Sequence, residues 1–353
     1  MDMKHFAIIQ TAFIGDVCLA LPAAQALRNV IPDARITFIT TPASAPLAGC
    51  ASAIDSVLAF DKRGRHRGGR GLEIFADELR PLAVDCVLSA HRSLRTSLLV
   101  MLLGAPFSVG FRTAAGAFCY RKLVEYRAAH HETRRVLSLL EAIPGFAPVQ
   151  HVPETAITIP PADVEAADRL GETCFAGDAP VIAVAPGSAW ATKRWPARHF
   201  AAAIRAICRR GFGAVLLGGE SDAALCSKLS AETGAISLAG QTTLPQTLRL
   251  LQRCRALLTN DSAPTHLARL AGTPPVTLFG PTVPEFGFAP LGGLVAQSAG
   301  LPCRPCAIHG GRRCPLGTHE CMSGLAPEKV VEILFEKKSN GELFCDNIAE
   351  KIT

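Results

Sequence analysis

The stretch from Arg255 to Pro281, RALLTNDSAPTHLARLAGTPPVTLFGP, limits the possible folds most. Its apolar run Ala256–Thr259 reads as a strand, and Asn260-Asp261-Ser262 as a polar turn. Ala263–Ala271 reads as a helix that Gly272 and Thr273-Pro274-Pro275 stop. Val276–Phe279 is a second apolar run, ahead of Gly280-Pro281. A strand, a helix and a strand this close together make a βαβ unit, whose strands are parallel and buried. Such sheets bind ligands beyond the carboxyl ends of their strands, where a helix N-terminus and its dipole can hold a phosphate. Asn260-Asp261-Ser262 falls at that edge, and His266 lies one turn into the helix, four residues after Ser262. Asp or Ser ahead of a helix is equally an ordinary N-cap.

The same alternation runs through the chain. Strands are expected at Phe6–Gln10, Arg35–Thr40, Asp55–Phe60, Val84–Ser89 and Ser108–Phe111, with a helix to about Val30 and others at Arg92–Leu103 and His130–Ile143. Pro144 to Pro161 is proline-rich and has no helical period, which marks a linker. A second series follows, with strands Val181–Ala185, Ala214–Leu217 and Ile236–Leu238 and helices Ala197–Arg210, Ala223–Thr233 and Leu244–Cys254, before the βαβ unit and a last helix over 327–338. Alternating strands and helices predict an α/β chain with mostly parallel sheets. At 353 residues, one core is too small to hold it. The expected division is a domain over 1–150, a linker over 151–178, a second domain over 179–325, and a C-terminal helix and tail over 326–353.

A formal charge of +6 fits an acidic small molecule or an anionic surface and is too weak to argue for nucleic acid. No apolar run approaches the length of a bilayer-spanning helix. Gln10 and Asp16 interrupt the apolar start, which reads as strand, turn and helix rather than signal peptide, so a cytoplasmic protein is expected. Most of the thirteen cysteines are scattered in apolar segments, as buried thiols of a reducing compartment are.

Four places carry chemistry. Gly15-Asp16 sits where the first strand turns into the first helix, so Asp16 either serves as a general base or caps that helix. Ala185 to Pro196, APGSAWATKRWP, is a small-residue loop between strand and helix that can cradle a diphosphate with backbone N–H groups while Lys193 supplies a charge. It lacks the Walker spacing, and no G-x-G-x-x-G follows the first strand. The loop from Asp61 to Arg70 carries five basic side chains, and Arg92, Arg95 and Arg112 add to the same half; the run is either a solvated face or an anion-binding one. Finally, Cys303-x2-Cys306-x7-Cys314-x6-Cys321 has spacing suited to four-thiolate coordination of zinc or iron as a structural site, with free thiols or a disulfide as alternatives.

Gly15-Asp16 with Pro22, Pro186-Gly187-Ser188 with Lys193-Arg194-Trp195-Pro196, Asn260-Asp261-Ser262 with His266, and Phe279-Gly280-Pro281-Thr282 stand in order over most of the chain. Together they resemble the ADP-heptose:lipopolysaccharide heptosyltransferases, glycosyltransferases of the GT-B type. The cysteine-bearing tail looks most like the heptosyltransferase II branch. The resemblance implies two Rossmann-like domains with a cleft between them, the N-terminal one binding acceptor and the C-terminal one binding nucleotide-sugar. It implies inverting transfer of a heptose from ADP-L-glycero-beta-D-manno-heptose to the lipopolysaccharide inner core (Kdo-lipid A), with the second heptose favoured. No cofactor is implied for the transfer step.

By position, Asp16 matches the base and Lys193 the residue that neutralises the departing diphosphate. Ser188, Lys193, Asp261, Ser262, Ala263 and His266 match donor-binding positions, although glycine is commoner at Ala263; Glu220, after Gly218-Gly219, aligns loosely as a ribose contact. Lys62, Arg63, Arg65, Arg67, Arg92 and Arg112 are the expected acceptor-binding residues, suited to an anionic acceptor at the inner face of the cytoplasmic membrane, with peripheral membrane contact. Two alternatives share the motifs: a protein (autotransporter-type) heptosyltransferase using the same donor, and a nucleotide-sugar-binding protein without turnover.

Overall fold

The computed structural model describes residues 3–336; the tail expected beyond the last helix lies outside the described residues. The chain divides into two compact units, Met1–Thr158 and Ile159–Thr353.

The first unit holds strands β1 (His5–Ile9), β2 (Arg35–Thr40), β3 (Ser56–Ala59), β4 (Cys86–Ser89), β5 (Phe107–Phe111) and β6 (Lys122–Val124). They pair in the order β3-β2-β1-β4-β5-β6, every neighbour parallel. The second unit holds β7 (Val181–Ala185), β8 (Gly213–Leu216), β9 (Ile236–Ser237), β10 (Ala256–Asn260), β11 (Pro275–Phe279) and β12 (Leu294–Gln297), in the order β12-β11-β10-β7-β8-β9, also all parallel. Counted within its own unit, each sheet runs 3-2-1-4-5-6, the doubly wound arrangement whose strand order reverses at one central pair. Those pairs are β1 with β4 and β7 with β10.

Central strands of such sheets are covered on both faces, so their sequences are continuously apolar. HFAII in β1 and VIAVA in β7 are buried throughout. The flanking helices bury one stripe each: Ala197–Arg209 turns Phe200, Ala201, Ala203, Ile204 and Ile207 inward at helical spacing. These side chains join Ile182, Val184, Leu216, Leu258 and Val276 in the second core, which Val330, Val331 and Leu334 of the helix Pro327–Leu334 complete. The first core gathers Ala7, Ile9, Ile39, Val87, Leu99 and Val100 with Phe60 and Phe75.

Some boundaries differ from the sequence reading. Short β6 and β12 were not expected, the helix Gly68–Leu79 begins inside the expected basic loop, and the helix expected over His130–Ile143 is Glu132–Leu137 followed by a 3-10 turn. Helix Pro161–Gly171 lies in the stretch expected as linker; its Asp168 accepts from Arg249 at 3.0 Å and Arg253 at 3.1 Å, tying it to helix Leu244–Gln252. No helix among the described residues is long and apolar enough to cross a membrane.

Candidate active site

In the second unit, the reversal point brings together the loops that follow β7 and β10. Asn260, the last residue of β10, is fully buried, and its side chain stitches the two loops. Its amide donates to the carbonyls of Pro186 (2.8 Å) and Gly187 (3.2 Å) and accepts from the Trp195 N–H (3.0 Å). The Trp195 indole donates to the Leu325 carbonyl at 3.0 Å, and Arg194 donates to that of Ser188 at 2.8 Å. So both tryptophans frame this loop, but only Trp195 is a core anchor; Trp190 is half-buried.

The folded loop delivers Lys193 to Asp261: Nζ lies 2.6 Å from Oδ2, with both side chains about nine-tenths buried. The same oxygen accepts the Thr282 hydroxyl at 2.7 Å. Asp261 is therefore occupied by a lysine and a threonine and does not cap the following helix. Ser262 stands at the N-cap position with no side-chain capping bond; its hydroxyl donates to the Asn260 carbonyl at 3.2 Å. No side chain caps the start of Ala263–Ala271, and Pro264 has no N–H there, so the Ala263 N–H stands at the helix N-terminus beside a cation, which is what an anion needs. His266 is buried one turn into this helix, and Ser188 is buried in the preceding loop, its hydroxyl accepting from the Trp190 N–H at 3.3 Å. Glu220 is exposed at the end of β8, in the 3-10 turn Glu220–Asp222, and has no hydrogen bond to the Lys193–Asp261 pair.

Asp222 and Thr282 belong to this edge and were missed as site residues. A Cβ on Gly187 would come within 2.2 Å of Oδ1 of Asp222, so any side chain there would have to displace the Asp222 carboxylate. Thr282 was readable in principle: it follows β11, a parallel neighbour of β10, and therefore emerges at the same edge.

In the first unit, the polar cluster again stands at the reversal point. Asp16, in the first turn of helix Ile14–Val30, accepts the Phe13 N–H at 3.1 Å, so it does cap that helix from within. Burial, and then the charge of Glu132, push its carboxyl up to about 6, against the opposing pull of the Phe13 N–H and Arg92. A carboxylate so tuned takes a proton near neutral pH more readily than an ordinary aspartate does. Across the β1–β4 junction, Nδ1 of His91 lies 2.8 Å from the Thr11 hydroxyl and 2.9 Å from that of Thr96. Burial, then Lys62 and Arg92, push His91 down to about 4, leaving it neutral. Neither His91 nor Glu132 announces itself in the sequence, because each gains its meaning only from a neighbour far along the chain.

The expected acceptor-binding residues divide. Lys62 donates to the Thr11 carbonyl at 2.5 Å, Arg65 pairs with Glu78 at 2.5 Å and Arg112 pairs with Glu125. The last two pairs are solvent-exposed and of little energetic weight, so either arginine can change partners. Arg63, Arg67 and Arg92 are exposed, Arg92 lying 3.9 Å over the Tyr126 ring. Arg95 is structural: it donates to the carbonyls of Lys62, His66 and Gly68 and holds the basic loop in place.

The expected zinc or iron site gains no support from the described residues. Among the described residues, no group of three or more His, Cys, Asp or Glu side chains is arranged to hold a metal ion, and their cysteines are free thiols. The four thiols lie near enough to feel one another's charge, and Cys306, Cys314 and Cys321 line one pocket with His319. Cys321 is buried on the short helix Glu320–Ser323, the Cys306 N–H is bound to the Pro281 carbonyl at 2.9 Å, and Cys314 sits in a loop. The N–H of His319, then those of Leu316, Gly317 and Thr318, lower the Cys314 thiol, whereas burial raises Cys306 and lifts Cys321 to about 11.

Sheets of this order take nucleotides where the strand order reverses, and two of them in one chain are the architecture of GT-B glycosyltransferases. Comparison with known proteins gives the branch: residues 74–314 match glycosyltransferase family 9 (heptosyltransferase), and the chain belongs to that family. Lys193, Asp261 and Thr282 fall within the matched span; Asp16 precedes it. Lipopolysaccharide heptosyltransferase 2 of Escherichia coli is 24% identical over 298 residues, covering 79% of this chain and 83% of that one. Lipopolysaccharide heptosyltransferase 1 of Pseudomonas aeruginosa is 23% identical, with 85% of each chain covered. Among solved structures, a family 9 glycosyltransferase from Veillonella parvula superposes with a TM-score of 0.83 at 25% identity, over 94% of this chain and 96% of that one. The ADP-heptose heptosyltransferase II of E. coli gives 0.76 at 20% identity, over 94% and 97%, which shows a shared fold.

Proposed function

We propose that this glycosyltransferase moves a heptose from ADP-L-glycero-beta-D-manno-heptose to the lipopolysaccharide inner core, adding the second heptose, by a single displacement with inversion. The relatives named for lipopolysaccharide heptosyl transfer support the reaction class. The observation that carries the chemistry is Lys193 held on Asp261 beside a helix N-terminus that no side chain caps. A diphosphate at this turn would share Lys193 with Asp261 and accept the backbone N–H groups of Ser262 and Ala263, since Pro264 has none. Ser188, Ser262 and His266 line the same edge, and Glu220 is the candidate for the ribose hydroxyls.

An acceptor hydroxyl attacks the anomeric carbon, Asp16 takes its proton, and the bond from that carbon to the diphosphate oxygen breaks with ADP departing. The developing charge on ADP meets Lys193 and the helix dipole, so the step needs no metal. Arg63, Arg67 and Arg92, with Lys62, Arg65 and Arg112 behind them, bind the phosphates and carboxylates of the acceptor. The protein works in the cytoplasm, in peripheral contact with the inner membrane where that acceptor resides. The test is transfer from ADP-heptose to heptose-free and to singly heptosylated core, with Asp16→Ala as control. Product on the singly heptosylated core alone supports the reading; heptosylated protein by mass spectrometry, or ADP binding with no transfer, overturns it.

A further inference from the structure

The segment from Cys303 to Cys321 does more than follow the second sheet, because it grips the donor edge through one guanidinium. Arg304 donates to the carbonyls of Thr282 (2.9 Å), Ser298 (2.5 Å), Phe279 (3.4 Å) and Gly280, and to Oε1 of Gln297 (3.1 Å). Nε meets Gly280, Nη1 meets Ser298, and the two N–H groups of Nη2 are shared among Phe279, Thr282 and Gln297, a spread of contacts that the rigid fork of arginine makes possible. Phe279 and Gln297 are the last residues of β11 and β12, Gly280 and Ser298 follow them directly, and the Thr282 carbonyl belongs to the turn after β11. That turn delivers the Thr282 hydroxyl to Oδ2 of Asp261, the oxygen that also holds Lys193.

The same segment touches Lys193 from the other side. Thr192, its neighbour in the 3-10 turn Ala191–Lys193, exchanges hydrogen bonds with Gly311: the Thr192 hydroxyl donates to the Gly311 carbonyl at 3.0 Å and accepts its N–H at 2.7 Å. Nε2 of His319 donates to the Thr192 carbonyl at 2.6 Å. Lys193 is therefore fixed at its head through Thr282 and Asp261 and at its backbone through Thr192.

We propose that Arg304 is a positioning residue for the donor-binding pair, holding Thr282 so that Asp261 and Lys193 keep the orientation in which they meet a diphosphate. The proposal rests on the reading that Lys193 and Asp261 hold the diphosphate of the donor. A role of this kind predicts coupling, which a merely structural arginine would not show. ADP affinity is measured by calorimetry on the full chain for Arg304→Met, Thr282→Val and the double variant, with thermal unfolding as a control.

Each single substitution is expected to weaken ADP binding by roughly tenfold, as loss of one link to a charged group does. The double variant should be about as weak as the worse single one, because the chain of contacts is already broken. Thr282→Ser, which keeps the hydroxyl, should bind ADP as the unaltered protein does. If Arg304→Met does not fold, Arg304→Gln takes its place in the cycle, and Thr282→Val against Lys193→Met tests the last link by the same criterion. Multiplying effects, about a hundredfold in the double variant, with ADP binding intact in the unaltered protein, overturn the role of Arg304 alone. Failure of the unaltered protein to bind ADP overturns the donor reading and this proposal together.

Discussion

Asp16→Asn should stabilise the first unit at neutral pH while it removes transfer, and the size of the gain is set by the burial of the carboxylate. The ordinary value of 3.8 is raised to about 6, so the folded protein resists ionising this group. The sign follows from proton counting: between those values the folded state holds the proton and the unfolded state has lost it, so stability falls as pH rises through the interval and stays low above it. At about 1.36 kcal/mol per factor of ten, the full cost above pH 6 is about 3 kcal/mol. Asp16 is only half-buried by surface, so we discount solvent screening to about half of that, or about 1.5 kcal/mol. Asparagine carries no charge, and its carbonyl still accepts the Phe13 N–H. A unit of this size should gain about 3–6 °C in melting temperature at pH 8 and about half as much at pH 5. The assay is thermal unfolding of both proteins at the two pH values. A destabilised variant, or a gain equal at pH 5 and pH 8, would refute the reasoning.

Three further outcomes are expected. The acceptor-saturated rate should rise with pH through a midpoint near 6, since the base works only when ionised, and Glu132→Gln should move that midpoint downward because the Glu132 charge helps raise Asp16. A pH–rate profile with an unmoved midpoint would count against the pairing. Replacing Arg63, Arg65 and Arg67 together should raise the acceptor KM by roughly tenfold or more and leave donor KM unchanged; steady-state kinetics with each substrate varied decides it. Chelator should leave the transfer rate unchanged, since Lys193 and a helix N-terminus meet the departing charge; metal analysis of the purified protein beside a Cys303→Ser/Cys306→Ser variant decides whether the cysteines hold a structural ion, which a stoichiometric metal lost on substitution would show.

Where the sequence reading succeeds, the signals are local. Helix Ala263–Ala271 has the limits expected of it because Ser262 sits before it and Gly272, at φ +75°, ends it in a conformation that glycine adopts at little cost. Lys193 and Asp261 stand out each in its own loop, and the fold supplies what sequence could not, the 2.6 Å contact between them. Helix Gly68–Leu79 escaped because Gly68-Gly69 and the surrounding arginines read as loop, and its apolar face begins only at Leu72. Cysteine spacing alone does not decide on a metal: a cage depends on how each sulfur is placed, and the described residues show no such group. Arg304, Thr282 and Glu132 meet their partners on other strands or helices, so no local pattern in the sequence singles them out.

The central claim is one displacement at the anomeric carbon, with Asp16 as base and ADP as leaving group. The configuration of the transferred sugar tests it most directly: NMR of the product formed from the β-linked donor should show an α-linked heptose. A β-linked product would contradict the account, since retention requires a second displacement that a lone base at Asp16 does not supply.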